Sequence, residues 1–124
     1  LLELKALELA KPHLVKEDLE KILEGNVIPE SETERVLINN SLHEYLIDKA
    51  GNYYIQDFFQ RQGRYYDILF DWEDQDRATA IETVRQHQSI LKALIKKEWS
   101  TARKALSYHI RDNHPILSKI VKAN

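Results

Sequence analysis

The sequence predicts an all-α fold, an antiparallel bundle of about six helices in a single domain of residues 1–124. Apolar residues recur at intervals of three and four along most of the chain, which is the period of an amphipathic helix. Only 3 Gly and 3 Pro occur among the 124 residues, so few positions favour turns. We find no internal repeat, no low-complexity tract and no boundary that indicates a second domain.

The composition excludes several classes of protein. A hydrophobic share of 43% and a charged share of 31% are typical of a soluble globular protein and exclude wholesale disorder. With no Cys, the chain has no disulfide framework, no thiolate zinc site and no cysteine nucleophile. Its apolar runs are too short to span a membrane, and a net charge of −2 gives no basic footprint for nucleic acid. Because it starts at Leu1 without an initiator Met or a signal-like segment, we expect it to be a piece of a longer protein.

The first three helices are predicted from their apolar faces and their ends. Helix one covers Leu1 to Ala10, and helix two runs from about Lys16 to Glu24. Helix three is predicted to start at the S-x-x-E capping box of Ser31 and Glu34 and to run to Ala50, before Gly51-Asn52.

The second half of the chain predicts three longer helices. From Tyr53 to about Trp72, apolar residues fill two neighbouring stripes, so this helix is expected to be central and largely buried. After a polar turn at 74–76, helices at about 77–97 and 99–112 are joined by almost no loop, so they should be antiparallel neighbours. Pro115 is expected to stop or kink the last helix near His114.

Three of the five histidines, His43, His87 and His109, fall on apolar stripes. Each histidine taken alone can be explained as a core residue that is hydrogen-bonded to one neighbour. Burying three imidazoles that share no function, however, costs the free energy of desolvation three times. Glu98, at the turn, lies 11 residues from both His87 and His109. Both rings should therefore stand level, roughly 16 Å from the turn. Asn39, four residues before His43, should project from the same helical face. The pattern predicts a three-histidine metal site with Asn39 as a fourth, oxygen ligand.

Motifs of catalysis are missing from the sequence. No Glu stands three residues before a His, and the segment 43–47 lacks the second His of a zinc-protease helix. No G-x-S-x-G nucleophile elbow occurs either. We therefore expect no enzymatic activity.

Several of these residues together resemble a known family. The stretch 39–43, Asn-Asn-Ser-Leu-His, followed by Gly51-Asn52, resembles the D-x-x-F-H…(A/G)-G-N pattern of the FadR C-terminal ligand-binding (FCD) domain of GntR-superfamily transcriptional regulators. A second signature of this family is similar in type and spacing to His87, Ile90-Leu91, Ala93-Leu94, Glu98, Ala102, Leu106 and His109-Ile110. Leu2-Glu3 and 6–10 look like its opening helix, so the resemblance covers the whole chain.

The resemblance implies an effector-sensing and homodimerising domain in a cytoplasmic transcription regulator. Such a domain binds a small organic acid at or near a divalent metal, here Zn with Ni as the other possibility, without membrane contact. DNA would be bound by a winged-helix domain upstream of Leu1. This sequence departs from the family pattern at two positions. Asn39 stands where the family has its metal-ligating Asp, and Leu42 stands where the family has an aromatic residue. Asn contributes a neutral carbonyl, so we expect weaker metal binding. Occupancy should fall as the pH drops below about 6.5, because ligating imidazoles must be neutral.

Arg61 is the main candidate for gripping the effector's carboxylate, since it interrupts an apolar stripe. The pattern is equally consistent with an Arg61 side chain that extends along the apolar surface and keeps its charge in solvent, or that pairs with Asp57. Arg64 is the second candidate. Asn113, four residues after His109, is expected either to line the same cavity or to cap the helix before Pro115.

Two rival functions remain open at this point. One is a small metal-dependent bundle enzyme acting on a carboxylate, which a general base beside the metal would favour. The other is a structural helical module, which a solid core without a cavity would favour.

Overall fold

The computed structural model describes residues 2–62 and 76–123, with side chains as far as Asp112. Helices account for all the regular secondary structure in these ranges, which confirms the predicted all-α class. The elements are α1 (Leu2–Ala10), a 3-10 turn (Lys11–His13), α2 (Lys16–Gly25), α3 (Ser41–Ala50), α4 (53–62), α5 (Arg77–Ile95) and α6 (Trp99–Ala123). None of the described helices is long and apolar enough to cross a membrane.

The main core lies where α1, α2 and α3 meet the α5–α6 hairpin. Helix α1 packs on α3, α2 packs on α5, and α5 packs along α6. Each helix contributes its apolar stripe to one continuous cluster of buried side chains. Its large members are Leu4, Leu7, Leu19, Leu42, Leu46, Ile90, Leu91, Leu94 and Leu106.

The turn between α5 and α6 is as short as predicted. The N–H of Lys97 donates to the carbonyl of Leu94 at 3.1 Å, and the N–H of Glu98 donates to that of Ala93 at 2.9 Å. This pair of bonds is the Schellman pattern, which places the residue after the helix in the left-handed region. Lys97 takes that conformation with φ 59°, where Gly is usual. The chain reverses at once, so α5 and α6 are antiparallel neighbours, as predicted.

Helix α3 is shorter than predicted, because residues 27–40 contain no helix. The Ser31 hydroxyl does not cap a helix with Glu34; it accepts from the N–H of Thr33 at 3.3 Å within a local turn. Asn40 is the N-cap residue of α3, and Asn39 before it accepts with its Oδ1 from the N–H of Ser41, the first helical residue, at 2.8 Å. The capping-box prediction is therefore wrong, and α3 starts ten residues later.

Arg77, at the start of α5, explains why the segment before α3 is not helical. Its guanidinium donates to the carbonyl oxygens of Pro29, Ser31 and Glu34, at 3.4, 2.9 and 3.3 Å respectively. Backbone acceptors that a helix would satisfy internally are satisfied here from another element. The sequence of residues 27–40 does not by itself indicate that a distant side chain donates to these carbonyls.

Helix α4 is less buried than the sequence predicted. Ile55 and Phe59 are buried and pack with Ala6 of α1. Tyr54 and Phe58, on the neighbouring stripe, are 82% and 45% exposed. The expectation of a central, largely buried helix is thus wrong for 53–62, and the remainder of that expectation lies outside the described residues.

Helix α6 passes Pro115 and continues to Ala123, so of the two expected outcomes near His114 the stop is wrong and the kink stays a prediction. Proline removes its own backbone donor, which costs one hydrogen bond in a helix of 25 residues. The turns on either side keep the helix continuous.

Candidate metal centre

Three buried histidines from three helices meet in the bundle interior. His43 of α3, His87 of α5 and His109 of α6 are 4%, 0% and 2% exposed. The Nε2 atom of His43 lies 3.2 Å from Nε2 of His87 and 3.1 Å from Nε2 of His109. The centroids of the His87 and His109 rings are 4.8 Å apart, which the equal spacing from the α5–α6 turn predicted. The predicted convergence is confirmed, and these three residues form a group able to hold a metal ion.

An outer set of side chains holds the opposite nitrogen of each ring. Nδ1 of His43 lies 2.9 Å from both carboxylate oxygens of Glu3, on α1. Because a carboxylate accepts and the ring nitrogen between its oxygens donates, His43 carries its proton on Nδ1. When the ring is neutral, its Nε2 faces the centre of the cluster as an acceptor.

Amide side chains play the same part for the other two rings. Asn26 donates from Nδ2 to the carbonyl of Ile22 at 2.8 Å, which leaves its Oδ1 to accept from Nδ1 of His87 at 3.0 Å. The amide orientation therefore fixes the His87 tautomer.

Gln86 orients His109 by the same logic. Its Nε2 donates to Asp112 Oδ2 at 2.7 Å, so its Oε1 accepts from Nδ1 of His109 at 2.6 Å. In their neutral forms all three rings thus carry Nδ1–H and direct their Nε2 lone pairs toward the centre of the cluster. Histidines that ligate a metal are usually held this way, with the second nitrogen donating to a carboxylate or carbonyl.

The separations of His43 Nε2 from the Nε2 atoms of His87 and His109 fit a single cation. Nitrogens at about 2.1 Å from one metal ion stand about 3.0 Å apart at a right angle and about 3.4 Å apart at the tetrahedral angle. The 3.1 and 3.2 Å separations lie between these limits. Three neutral imidazoles with this spacing suit a borderline cation such as Zn²⁺ or Ni²⁺.

Burial keeps two of the rings neutral. Loss of hydration, followed by the positive charge of His43, lowers the pKa of His87 from 6.5 to about 3. The same two causes, together with the charge of His87, lower the pKa of His109 to about 2. For these two rings burial moves the competition between protons and a metal to lower pH, and the expected loss of metal below about pH 6.5 stays a prediction.

Asn39 does not stand where the helical pattern placed it. It precedes α3, so it is not one turn below His43 on a helix, and that premise was wrong. Its Oδ1 accepts from the N–H of Ser41. Its Nδ2 packs against Gly25, where a Cβ atom would lie only 3.0 Å from it. Ligation by Asn39 stays a prediction.

A cavity of about 380 Å³ adjoins His43 between α3 and α4. It is lined by Asn40, His43, Glu44, Ile47, Asp48, Gln56, Phe59 and Gln60. Within the described part of the chain this lining includes two carboxylates and no Lys or Arg. Asn40 Oδ1 and Ser41 Oγ are buried and have no hydrogen-bond partner among the described residues. Asn40 belongs to the cavity lining, so the cavity combines one unused polar atom with one edge of the histidine cluster.

Comparison with known families decides the identity. The FCD domain profile matches residues 1–112. The chain belongs to the FCD domain family. As an FCD domain it is an effector-binding regulatory domain of the GntR type. No curated protein and no solved structure matches the chain.

Of the residues expected to hold the effector in this FCD domain, only Arg61 has a described side chain. It is 76% exposed and pairs with Asp57 at 3.0 Å, which is the alternative that the sequence left open. Arg61 is absent from the lining of the cavity beside His43, although Gln60 belongs to it. Arg64 lies outside the described residues, and for Asn113 only the helical backbone is described. The effector roles of these three residues stay predictions.

Sequence reasoning missed the outer partners of the histidines. Glu3 carried a signal, because it lies on the buried stripe of α1 with Ala6 and Ala10, where a carboxylate is out of place. Gln86 is likewise polar and 7% exposed beside a buried stripe of α5. Asn26 gave no such signal, since an Asn after Gly25 is an ordinary helix end.

Proposed function

We propose that this FCD domain binds one divalent cation, Zn²⁺ with Ni²⁺ as the alternative, through Nε2 of His43, His87 and His109. The observation that carries the proposal is that Nε2 of His87 and Nε2 of His109 lie within 3.2 Å of Nε2 of His43, while the Nδ1 atom of each ring has a hydrogen-bond partner outside the cluster. In the neutral rings the Nε2 lone pairs repel one another at this distance, and a cation at their centre removes that repulsion. Asn39 is a weak or absent fourth ligand, which leaves open positions on the cation.

The effector is a small organic acid that binds beside or on the cation. The cavity next to His43 has the volume for a small molecule, and its described lining offers no cationic side chain. Glu44 and Asp48 repel an anion there, so among the groups that the structure describes the attraction for a carboxylate comes from the cation. Metal and effector are therefore expected to bind with positive coupling.

Effector binding is relayed to a DNA-binding domain. His43 lies on α3, which packs on α1, and Glu3 connects the two helices at the metal site. A shift of α3 on effector binding displaces α1, which leads toward the winged-helix domain expected upstream. We further propose that the cytoplasmic protein acts as a homodimer and that this domain performs no catalysis.

The test is a calorimetric titration with Zn²⁺. Wild type is expected to bind one equivalent, and His87→Ala is expected to bind none, because one of three ligands is lost. His13→Ala is the matched control, since His13 is exposed in the 3-10 turn and should leave binding unchanged. Equal uptake by wild type and His87→Ala contradicts the proposal.

The effector is tested by thermal unfolding with small carboxylates, each with and without Zn²⁺ or Ni²⁺. A molecule that binds only the folded state raises the unfolding midpoint. At least one carboxylate should raise it more in the presence of metal than in its absence. If no carboxylate does so while the metal alone binds, the domain holds a metal but its effector belongs to another chemical class.

A further inference from the structure

Glu3 is a carboxylate buried in the bundle interior. Its side chain is 5% exposed, and its partner in the described structure is His43, whose own side chain is also 5% exposed. An ionised carboxylate in such surroundings is stable only beside a compensating positive charge. A His43 that ligates a cation through Nε2 must be neutral, so it then supplies one hydrogen bond and no charge.

The proposed cation supplies the missing charge. Three neutral imidazoles and a neutral Asn39 leave a divalent cation with its full charge inside the protein. Glu3 lies one imidazole ring away from that charge, through the contact between its oxygens and His43 Nδ1. The outer partners of His87 and His109 are amides, so Glu3 is the ionic member of the outer set.

We infer that Glu3 is a positioning residue that sets the metal affinity, supplying through His43 the negative charge that Asn39 lacks. The inference rests on the proposed metal site. A carboxylate behind a ligating imidazole fixes its tautomer and increases the electron density on the ligating nitrogen. His43 is then the strongest of the three ligands, and it is also the ring that faces the cavity.

Glu3→Gln separates charge from shape, because Gln keeps the length of the side chain and a carbonyl acceptor. Zn²⁺ affinity, measured by competition with a chromophoric chelator, should fall roughly 10–100-fold. Glu8→Gln is the control: Glu8 belongs to the same helix, pairs with Lys5 at 3.8 Å and has a 65% exposed side chain. It removes the same charge from α1 and should leave Zn²⁺ affinity unchanged.

Thermal midpoints with and without Zn²⁺ distinguish this role from a structural one. Loss of a merely structural contact lowers both midpoints equally, so the rise caused by Zn²⁺ stays the same. Loss of a positioning residue makes that rise smaller. Glu3→Gln with wild-type affinity and a wild-type rise overturns the inference and leaves the metal site intact. A wild-type protein that binds no Zn²⁺ overturns the proposed function itself.

A measurement on the unaltered protein covers the case in which Glu3→Gln does not fold. In the Zn²⁺-loaded wild type, NMR should find the Nδ1–H proton of His43 farther downfield than those of His87 and His109. A carboxylate acceptor shortens and strengthens this hydrogen bond more than an amide does. Three resonances at the same position overturn the inference.

Discussion

Acidification of the metal-free domain from about pH 7 to about pH 5 is expected to destabilise it through His87 and His109. In the folded protein burial lowers the pKa of these rings to about 3 and about 2. In the unfolded chain both return to about 6.5. Between these values the unfolded state binds more protons than the folded state, so the free energy of unfolding falls as the pH falls.

The magnitude follows from the distance to the unfolded pKa. About pH 5 lies roughly 1.5 units below 6.5, and each unit corresponds to about 1.4 kcal/mol for each ring. The free energy of unfolding should therefore decrease by about 2 kcal/mol for each ring and by about 4 kcal/mol for the two together. The total free energy of unfolding of a domain of this size is about 5–15 kcal/mol, so the loss is a large part of its stability.

Urea denaturation followed by far-UV circular dichroism, in buffers containing a metal chelator, measures this change. His87→Gln should remove about half of the pH dependence, because one of the two neutral rings is gone. His13→Ala should leave it unchanged, since His13 is exposed. Among the described residues, the charged and titratable groups near the two rings are His43, Glu3 behind it, and both Asp112 and Glu82 behind Gln86. Free energies of unfolding that agree within about 1 kcal/mol at the two pH values would refute the reasoning.

Three further predictions concern single substitutions. Arg77→Ala should cost roughly 1–3 kcal/mol of stability in chemical denaturation, because three backbone carbonyls lose their donor, and an unchanged midpoint would contradict the role of Arg77. Lys97→Gly should raise the free energy of unfolding by roughly 1 kcal/mol, because Gly adopts the left-handed conformation without strain, whereas a decrease would show that the lysine side chain stabilises the turn. Asn39→Asp should tighten Zn²⁺ binding in competition titrations and make it less dependent on a carboxylate, and an unchanged affinity would show that residue 39 does not reach the metal.

The histidine cluster was predictable because helical geometry alone determines most of it. His87 and His109 are equally distant from a turn that the sequence locates near Glu98. Since both helices are regular up to that turn, counting residues along the chain gives their relative height in space. His43 was found by the same periodicity, because α3 contains it even though α3 starts later than predicted.

The segment before α3 was not predictable, because its stabilising partner is remote. Ser31 and Glu34 form a valid local capping signal, yet Arg77 donates to the carbonyl of Ser31 from 46 residues away in sequence. Local propensity predicts a helix start only where no tertiary contact competes for the same backbone groups.

The burial of α4 posed a related difficulty. Both of its apolar stripes have the helical period, and the choice between them depends on Ala6 of α1, which covers Ile55 and Phe59. The outer partners of the histidines have the same origin, since Glu3 reaches His43 across 40 residues. Periodicity identifies a face, but it does not identify what that face packs against.

The spacing of the histidines along the chain bears on the order of events in folding. His43 and His109 are 66 residues apart, and His43 and His87 are 44 residues apart. Loops of this length form late, because their closure entropy is lost before any contact compensates for it. An unfolded or partly folded chain therefore presents its imidazoles one at a time, and a single imidazole holds Zn²⁺ only weakly. In refolding, the uptake of Zn²⁺ should coincide with the slowest packing phase, so that the ion reports when α3 has docked against the α5–α6 hairpin.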